Sequence, residues 1–183
     1  STDDILKAIE STPAETVFVL PNNKNIIMAA EQAIPISTRK VIVIHTRTIP
    51  QGITAVINYV AECSNDENEQ TMLEEITRVK SGQVTYAVRD TRMGEFEIKA
   101  DNILALKNDE ICHVGQDLIK ITKKLLESMV NDETSLVTIY YGEDATEGEA
   151  QELKEHVEEI CPGVEVEIQE GGQPLYYYLI SAE

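Results

Sequence analysis

The spacing of hydrophobic residues along this chain predicts an alternation of strands and helices. Residues 41–44 are Val-Ile-Val-Ile, a β-branched run typical of a strand that is buried on both faces of a parallel sheet. A helix is predicted to begin shortly after it, because Thr48 and Gln51 have the spacing of a capping box and Pro50 suits the first turn. The helix carries an apolar stripe, predicted to face the core, at Ile53, Val56, Ile57 and Val60.

Residues 1–60 as a whole predict a β-α-β-α unit. An earlier strand over residues 16–20 is ended by Pro21, and the helix after it is ended by Pro35. Parallel strands joined by a right-handed crossover are the default for consecutive elements of this kind. The loops that follow the strands are therefore predicted to lie at the carboxyl edge of the sheet, where ligands and partners of open α/β sheets bind.

The pattern changes between residues 83 and 114, where short alternating runs are separated by turns at Gly94 and at Asn108 and Asp109. Such closely spaced runs indicate antiparallel strands. Helical spacing and strand-like runs then alternate again to the end of the chain. We therefore predict one α/β domain over residues 1–183, with a mixed, partly parallel sheet and an antiparallel insertion in its middle third.

The charge of the chain excludes two classes of partner. Asp and Glu number 33 against 15 Lys and Arg, which gives a formal net charge of -18. Binding to nucleic acid or to an anionic membrane surface requires clustered positive charge, so neither is expected. No apolar run approaches the roughly 18 residues of a membrane span, and the N-terminal residues do not resemble a signal peptide. A cytoplasmic protein is predicted.

The usual catalytic motifs do not occur in the sequence. None of the nine glycines has the spacing of a dinucleotide-binding or phosphate-binding loop. The three histidines, His45, His113 and His156, are dispersed, and no serine or cysteine stands beside any of them as a nucleophile. His45 follows a predicted strand, where a structural role is favoured over that of a catalytic base. No metal site is predicted.

Four polar loops are predicted to lie at one edge of the sheet. They contain Asn22, Asn23, Lys24 and Asn25; Thr46, Arg47, Thr48 and Gln51; Gly142 and Glu143; and Gly171, Gly172 and Gln173. The N–H groups at the helix N-termini could bind a phosphate or carboxylate, with Lys24 or Arg47 as the counter-charge. Capping, turns and backbone geometry explain the same residues without a ligand. Spacing alone leaves both interpretations open.

The loop sequences also resemble a known family. The segments are Val-Leu-Pro-Asn-Asn-Lys-Asn-Ile at 19–26, Thr-Ile-Pro-Gln-Gly at 48–52, Ser-Gly-Gln-Val-Thr-Tyr-Ala-Val-Arg-Asp-Thr at 81–91, Tyr-Gly-Glu-Asp at 141–144 and Gly-Gly-Gln-Pro-Leu-Tyr-Tyr-Tyr-Leu-Ile-Ser at 171–181. In this order they resemble the C-terminal domain of DAK2/DhaL-domain proteins, the ATP-binding subunit of bacterial fatty acid kinase. The resemblance implies a DegV-like, three-layer α/β/α fold.

The resemblance also implies a function for the domain. In the family, ATP and magnesium bind an N-terminal DhaL domain that this chain does not contain, so no cofactor is expected here. The parent kinase phosphorylates a fatty acid held by a DegV-family acyl-binding subunit, and this domain is expected to dock that subunit without catalysing the transfer. The alternative is a small-ligand module that itself binds a fatty acid or acyl phosphate. An independent hydrolase using His45 is a third and weaker hypothesis.

Overall fold

Two short parallel strands form the middle layer of the first part of the chain. In the computed structural model, which describes all of Ser1–Glu183, the chain divides into two units, Ser1–Val79 and Lys80–Glu183. The first unit contains α1 (Thr2–Ser11), β1 (Thr16–Val19), α2 (Ile27–Ala33), β2 (Lys40–Val43), α3 (Ile49–Ile57) and α4 (Asn65–Glu75). β1 and β2 pair in parallel, as the sequence predicts.

Helices cover both faces of this strand pair. Successive side chains of a strand point to opposite faces, so Val41 and Ile42 of β2 contact different helices. Val41 packs in a cluster with Ile9 of α1 and Ala33 of α2. Ile42 packs instead with Ala55 of α3 and with residues of α4 and its C-terminal end. The first unit is therefore a three-layer α/β/α arrangement.

The second unit is built on a larger, mixed sheet. Its elements are β3 (Lys80–Tyr86), β4 (Thr91–Met93), β5 (Phe96–Ile98), β6 (Ile103–Lys107), β7 (Glu110–Gly115), α5 (Leu118–Met129), β8 (Leu136–Tyr141), α6 (Glu147–Ile160), β9 (Glu165–Glu170) and β10 (Tyr178–Ala182). Six strands form one sheet in the order β7-β6-β3-β10-β8-β9, and β4 and β5 form a separate hairpin. Only β8 and β9 pair in parallel.

The core of the second unit lies between this sheet and its two helices. Leu125 of α5 and Leu153 of α6 pack with Val84, Ile139 and Ile180 from three neighbouring strands. The last strand, β10, lies in the middle of the sheet between β3 and β8, so the C-terminal residues are part of the core. The predicted α/β fold, the mixed sheet and the antiparallel middle third are confirmed.

The prediction for the stripe on α3 is wrong. Val56 and Ile57 are 59% and 74% exposed, and Val60 lies beyond the C-terminal end of the helix and is exposed as well. The buried side of α3 consists instead of the small residues Pro50, Gly52, Thr54 and Ala55. Small side chains let the helix backbone approach the neighbouring chain closely, and this packing turns the large apolar residues outward.

A carboxylate fastens the end of α1 to the loop before β2. Glu10 accepts hydrogen bonds from Ser37 Oγ at 2.6 Å, Thr38 Oγ1 at 2.7 Å and the Thr38 N–H at 2.9 Å, and Arg39 Nε lies 3.8 Å away. These hydrogen bonds, that from Ser37 first, lower the pKa of Glu10 to about 2. The interactions favour the ionised form, so the contribution of Glu10 to stability depends on pH.

We expect the variant Glu10→Gln to be less stable than the wild type at neutral pH. An unfolded carboxyl titrates near pH ~4.3, so the difference should be complete above that pH. It should shrink as the pH falls toward about 2, where the folded carboxylate is protonated. Urea unfolding of both proteins across this range measures it, with Glu15→Gln, at an exposed position, as the control. A difference that does not change with pH would contradict the prediction.

Candidate functional site

The structure brings two of the predicted loops together in the first unit. The loops after β1 and β2 meet where the Asn22 N–H donates a hydrogen bond to Thr46 Oγ1 at 3.0 Å. Thr46 is fully buried, whereas Asn23, Asn25 and Arg47 are exposed. The parallel pairing of β1 and β2 places both loops at the carboxyl ends of the strands, as the sequence predicts. The polar residues of this pair of loops therefore form one contiguous edge.

Two of the predicted binding residues act in capping. Thr48 is the N-cap of α3, and its Oγ1 accepts a hydrogen bond from the Gln51 N–H at 3.2 Å. The Gln51 side chain accepts one from the Arg47 N–H at 2.7 Å. Both side chains are thus used to satisfy backbone groups at the start of the helix. This is the structural interpretation that the spacing left open, and it leaves Asn23, Lys24, Asn25 and Arg47 as the outward-facing side chains of these loops.

Asn22 packs against the first turns of α3. Its backbone has a φ of 57°, a left-handed conformation that asparagine adopts more readily than most residues. Its side chain lies against Gly52, where a Cβ atom would collide with the carboxamide. Asn22 Oδ1 is buried and has no hydrogen-bond partner. An unsatisfied buried acceptor costs roughly 1–3 kcal/mol, so this site would gain from a donor supplied by another molecule.

An apolar groove of about 270 Å³ begins at Asn22 and runs along α3. We call this groove, lined by Leu20, Asn22, Ile49, Gly52, Ile53, Val56 and Ile57, the α3 surface. Neighbouring Tyr59 and Val60 are also exposed. Sequence reasoning missed this surface because a helical apolar stripe is the usual signal of a core-facing side. The small residues Gly52, Thr54 and Ala55 on the other side of the helix were the available signal.

The other two predicted loops lie together in the second unit. Gln173 Nε2 donates to the Tyr140 carbonyl at 3.0 Å, and the Glu143 N–H donates to the Gln173 carbonyl at 3.0 Å. A Cβ at Gly142 or Gly171 would collide with atoms of Gln173, and Gly172 has a φ of 65°. These contacts give the two loops a structural explanation. Their role in binding stays a prediction.

The prediction that all four loops lie at one edge of a single sheet is wrong. β1 and β2 form their own two-stranded sheet, while β8, β9 and β10 belong to the six-stranded sheet of the second unit. The reason is that the sequence after α4 enters β3 of the larger sheet rather than extending the β1–β2 pair. The candidate site therefore rests on the loops of the first unit and the adjacent α3 surface.

The titratable side chains do not form a catalytic cluster. His45 pairs with Glu31 and His156 pairs with Glu127, and neither pair has a nucleophile among its hydrogen-bond partners. Desolvation, followed by Glu67, raises the pKa of the Cys63 thiol, which lowers its reactivity. No three His, Cys, Asp or Glu side chains are grouped in a way that could hold a metal ion. Nor does any helix combine the length and apolarity needed to cross a bilayer.

The sequence matches a family model over residues 1–183, and that model describes the FakA-like C-terminal domain of fatty acid kinase. The chain belongs to this family. Protein YloV of Bacillus subtilis (strain 168) is 43% identical over 183 residues, and the uncharacterized protein SAR1202 of Staphylococcus aureus (strain MRSA252) is 42% identical. Each alignment covers 100% of this chain and 33% of the relative. This FakA-like domain thus spans about a third of the length of these curated relatives.

Solved structures establish the fold of this FakA-like domain. The Streptococcus pneumoniae fatty acid kinase (Fak) B3 protein loaded with linoleic acid superposes with a TM-score of 0.67 at 14% identity, covering 100% of this chain and 76% of that one. The DegV family protein Cg2579 of Corynebacterium glutamicum gives 0.66 at 12% identity, covering 99% and 79%. The predicted DegV-like fold is confirmed. The matches span both units, and the single domain over 1–183 stays a prediction.

We expect Gly52→Ala to destabilise the FakA-like domain by roughly 1–3 kcal/mol, because the added Cβ overlaps the Asn22 side chain. Chemical unfolding monitored by circular dichroism measures the loss. The matched control is Gly148→Ala in α6, where the nearest heavy atom, Thr146 Oγ1, lies 4.0 Å from the added Cβ. This control should gain about 0.5–1 kcal/mol from helix propensity. Equal effects of the two substitutions would show that the Asn22 contact does not constrain α3.

Proposed function

We propose that this domain docks the DegV-family acyl-binding subunit of fatty acid kinase through the α3 surface and the exposed loop residues beside it. The domain does not catalyse the transfer and holds no cofactor. The acyl carboxylate of the docked subunit is phosphorylated by an N-terminal DhaL domain of the longer protein, which binds ATP and magnesium. The observation that carries the proposal is the exposure of Val56 and Ile57 on a helix whose opposite side is buried.

The chemistry of the α3 surface suits a protein partner. Large apolar side chains exposed together and bordered by polar residues are typical of protein interaction sites. Here the apolar centre contains Ile53, Val56 and Ile57, and the polar border contains Asn23 and Arg47. Burial of the apolar centre supplies binding energy, and the polar border fixes orientation. The unpaired Asn22 Oδ1 in the same groove offers an acceptor to a donor of the partner.

The comparisons support the identity of the partner. The family of this chain is defined by a component of fatty acid kinase, and a structural neighbour, the Streptococcus pneumoniae B3 protein, is a fatty acid kinase component loaded with linoleic acid. A kinase whose lipid is carried by one polypeptide and whose nucleotide is bound by another needs a surface that joins them. This domain has no cluster of metal-binding side chains, and a docking role is consistent with this division of work.

We expect Ile57→Glu to weaken binding at least tenfold, or about 1.4 kcal/mol, because a charge replaces the centre of the apolar surface. Isothermal titration calorimetry with the fatty-acid-loaded acyl-binding subunit from the same organism measures it. Met28→Glu is the matched control, since Met28 is 71% exposed on α2 in the same unit. The proposal fails if the wild-type chain gives no heat at tens of micromolar, or if both variants bind as the wild type does.

A second candidate function is the binding of a fatty acid or acyl phosphate by the domain itself. A groove of about 610 Å³ in the second unit lies between the β4–β5 hairpin and the sheet, with Phe96, Leu104, Leu106 and Ile111 among its apolar residues. This volume is within the ~300–1,000 Å³ of small-ligand sites. The groove ranks second because Glu95, Asp109 and Glu110 also line it, and these carboxylates would repel an acidic lipid head group.

Native mass spectrometry of the freshly purified chain tests this candidate. Bound lipid should appear as an added mass in the wild type and should be absent from Leu104→Trp, which fills the groove. Val88→Trp is the control, because Val88 is exposed in the same unit and does not line the groove. A lipid-free wild type, or equal lipid in all three proteins, would remove this candidate and leave the docking proposal unaffected.

A further inference from the structure

One edge of strand β2 is open along a groove of about 390 Å³. The N–H groups of Lys40 and Ile44 donate to the carbonyls of Glu15 and Val19, each at 3.0 Å, and these bonds bind β2 to β1. Backbone groups of a strand alternate in direction, so the N–H and C=O groups of Val41 and Val43 point away from β1. β2 has no second neighbour in its sheet. These groups therefore form a hydrogen-bonding row without a strand beside it.

Helices from both outer layers form the walls of this groove. Ile34, at the C-terminal end of α2, lies on one side, and Leu73 of α4 lies on the other, with the β2 edge as the floor. Ile34 and Leu73 are 39% and 40% exposed. Since the walls flank the edge, the groove admits a single extended segment rather than the edge of another sheet. We call the site formed by Glu31, Ile34, Val41, Val43, Glu69 and Leu73 the β2 groove.

The charge of the walls restricts the occupant. Glu31 and Glu69 stand on the two walls, with His45 2.5 Å from the Glu31 carboxylate. A second copy of this chain, paired edge to edge about a two-fold axis, would bring these acidic walls together on a molecule with a net charge of -18. A segment with Lys or Arg facing Glu69 is electrostatically complementary. Like charges disfavour self-pairing, and the carboxylates favour a cationic partner.

We propose that the β2 groove binds an extended segment of a partner protein as an added strand. The segment pairs with the outward N–H and C=O groups of Val41 and Val43, the geometry of strand addition to an open sheet edge. Its apolar side chains contact Ile34 and Leu73, and a Lys or Arg contacts Glu69. This interaction is separate from docking on the α3 surface, which lies on other residues, and it does not rest on the function proposed above.

The first test uses a blocked synthetic peptide, acetyl-Lys-Val-Thr-Val-Lys-Val-Thr-amide, added to the 183-residue chain and followed by NMR. Two further versions carry N-methyl groups, one on the valine amides and one on the lysine and threonine amides. Only one set of amides faces β2 in a strand, so we expect one version to bind at least tenfold more weakly and the other to bind within threefold of the parent. Equal behaviour of the two versions, or no binding of the parent peptide up to about 1 mM, overturns the proposal.

Variants of the groove test the same contact from the other side. Val43→Pro removes the outward N–H and leaves the bonds to β1, a change that an edge strand tolerates. It should weaken the parent peptide at least tenfold, while Val43→Thr, which keeps the N–H, should bind as the wild type does. Glu69→Lys, on a helix surface and therefore independent of any effect of proline on folding, should also weaken it tenfold.

Unchanged binding by folded Val43→Pro or by Glu69→Lys overturns the proposal. Sedimentation of the chain alone identifies the other occupant. Dimers that are lost in Val43→Pro, together with no peptide binding, would assign the edge to a second copy. Ile57→Glu in the α3 surface should leave peptide binding unchanged, so that the outcomes of the two docking proposals are read separately.

Discussion

The contact between Asn22 and Gly52 determines which side of α3 faces the interior. The Asn22 carboxamide occupies the space that a Cβ at position 52 would need, and Thr46 Oγ1 holds the Asn22 backbone in place at 3.0 Å. A helix that approaches so closely can bury only its small residues. Ile53, Val56 and Ile57 must then lie on the outer side or at its border, and this arrangement gives the first unit its apolar surface. The proposed docking role therefore depends on a backbone approach that a single methyl group would disturb.

The first unit differs from most parallel sheets in having only two strands. Parallel sheets are normally covered on both faces and contain more strands, so their edges are few relative to their size. Here the helix layers cover the faces, while the edge of β2 remains open between α2 and α4. Short length and flanking charges are the usual protection of such an edge, and β2 has only four residues. The same features make the edge selective for one extended, cationic segment.

The second unit owes its stability to a different arrangement. Its last strand, β10, inserts between β3 and β8, so residues distant in sequence form the middle of the sheet. Tyr178 at the start of β10 is fully buried in this core, and burial raises the pKa of its phenol. The loops around Gly142 and Gln173 are held by this insertion, because the Gly142 N–H donates to the carbonyl of Tyr177, the residue before β10. Their polar atoms act mainly in holding the chain together, whereas those of the first unit lie beside an open surface.

The sequence alone determined the α/β class, the parallel β1–β2 pair, the cap at Thr48 and the family, because each depends on local spacing or on short motifs. Periodicity placed Val56 and Ile57 on one side of a helix correctly but could not say which side is buried, since both sides of α3 are apolar. Tertiary structure decided that question through Gly52 and Ala55, whose small volume permits the closer approach. It also decided that the strands form separate sheets and that β2 keeps an open edge. Pairing between distant strands depends on packing over the whole chain, and no local pattern encodes it.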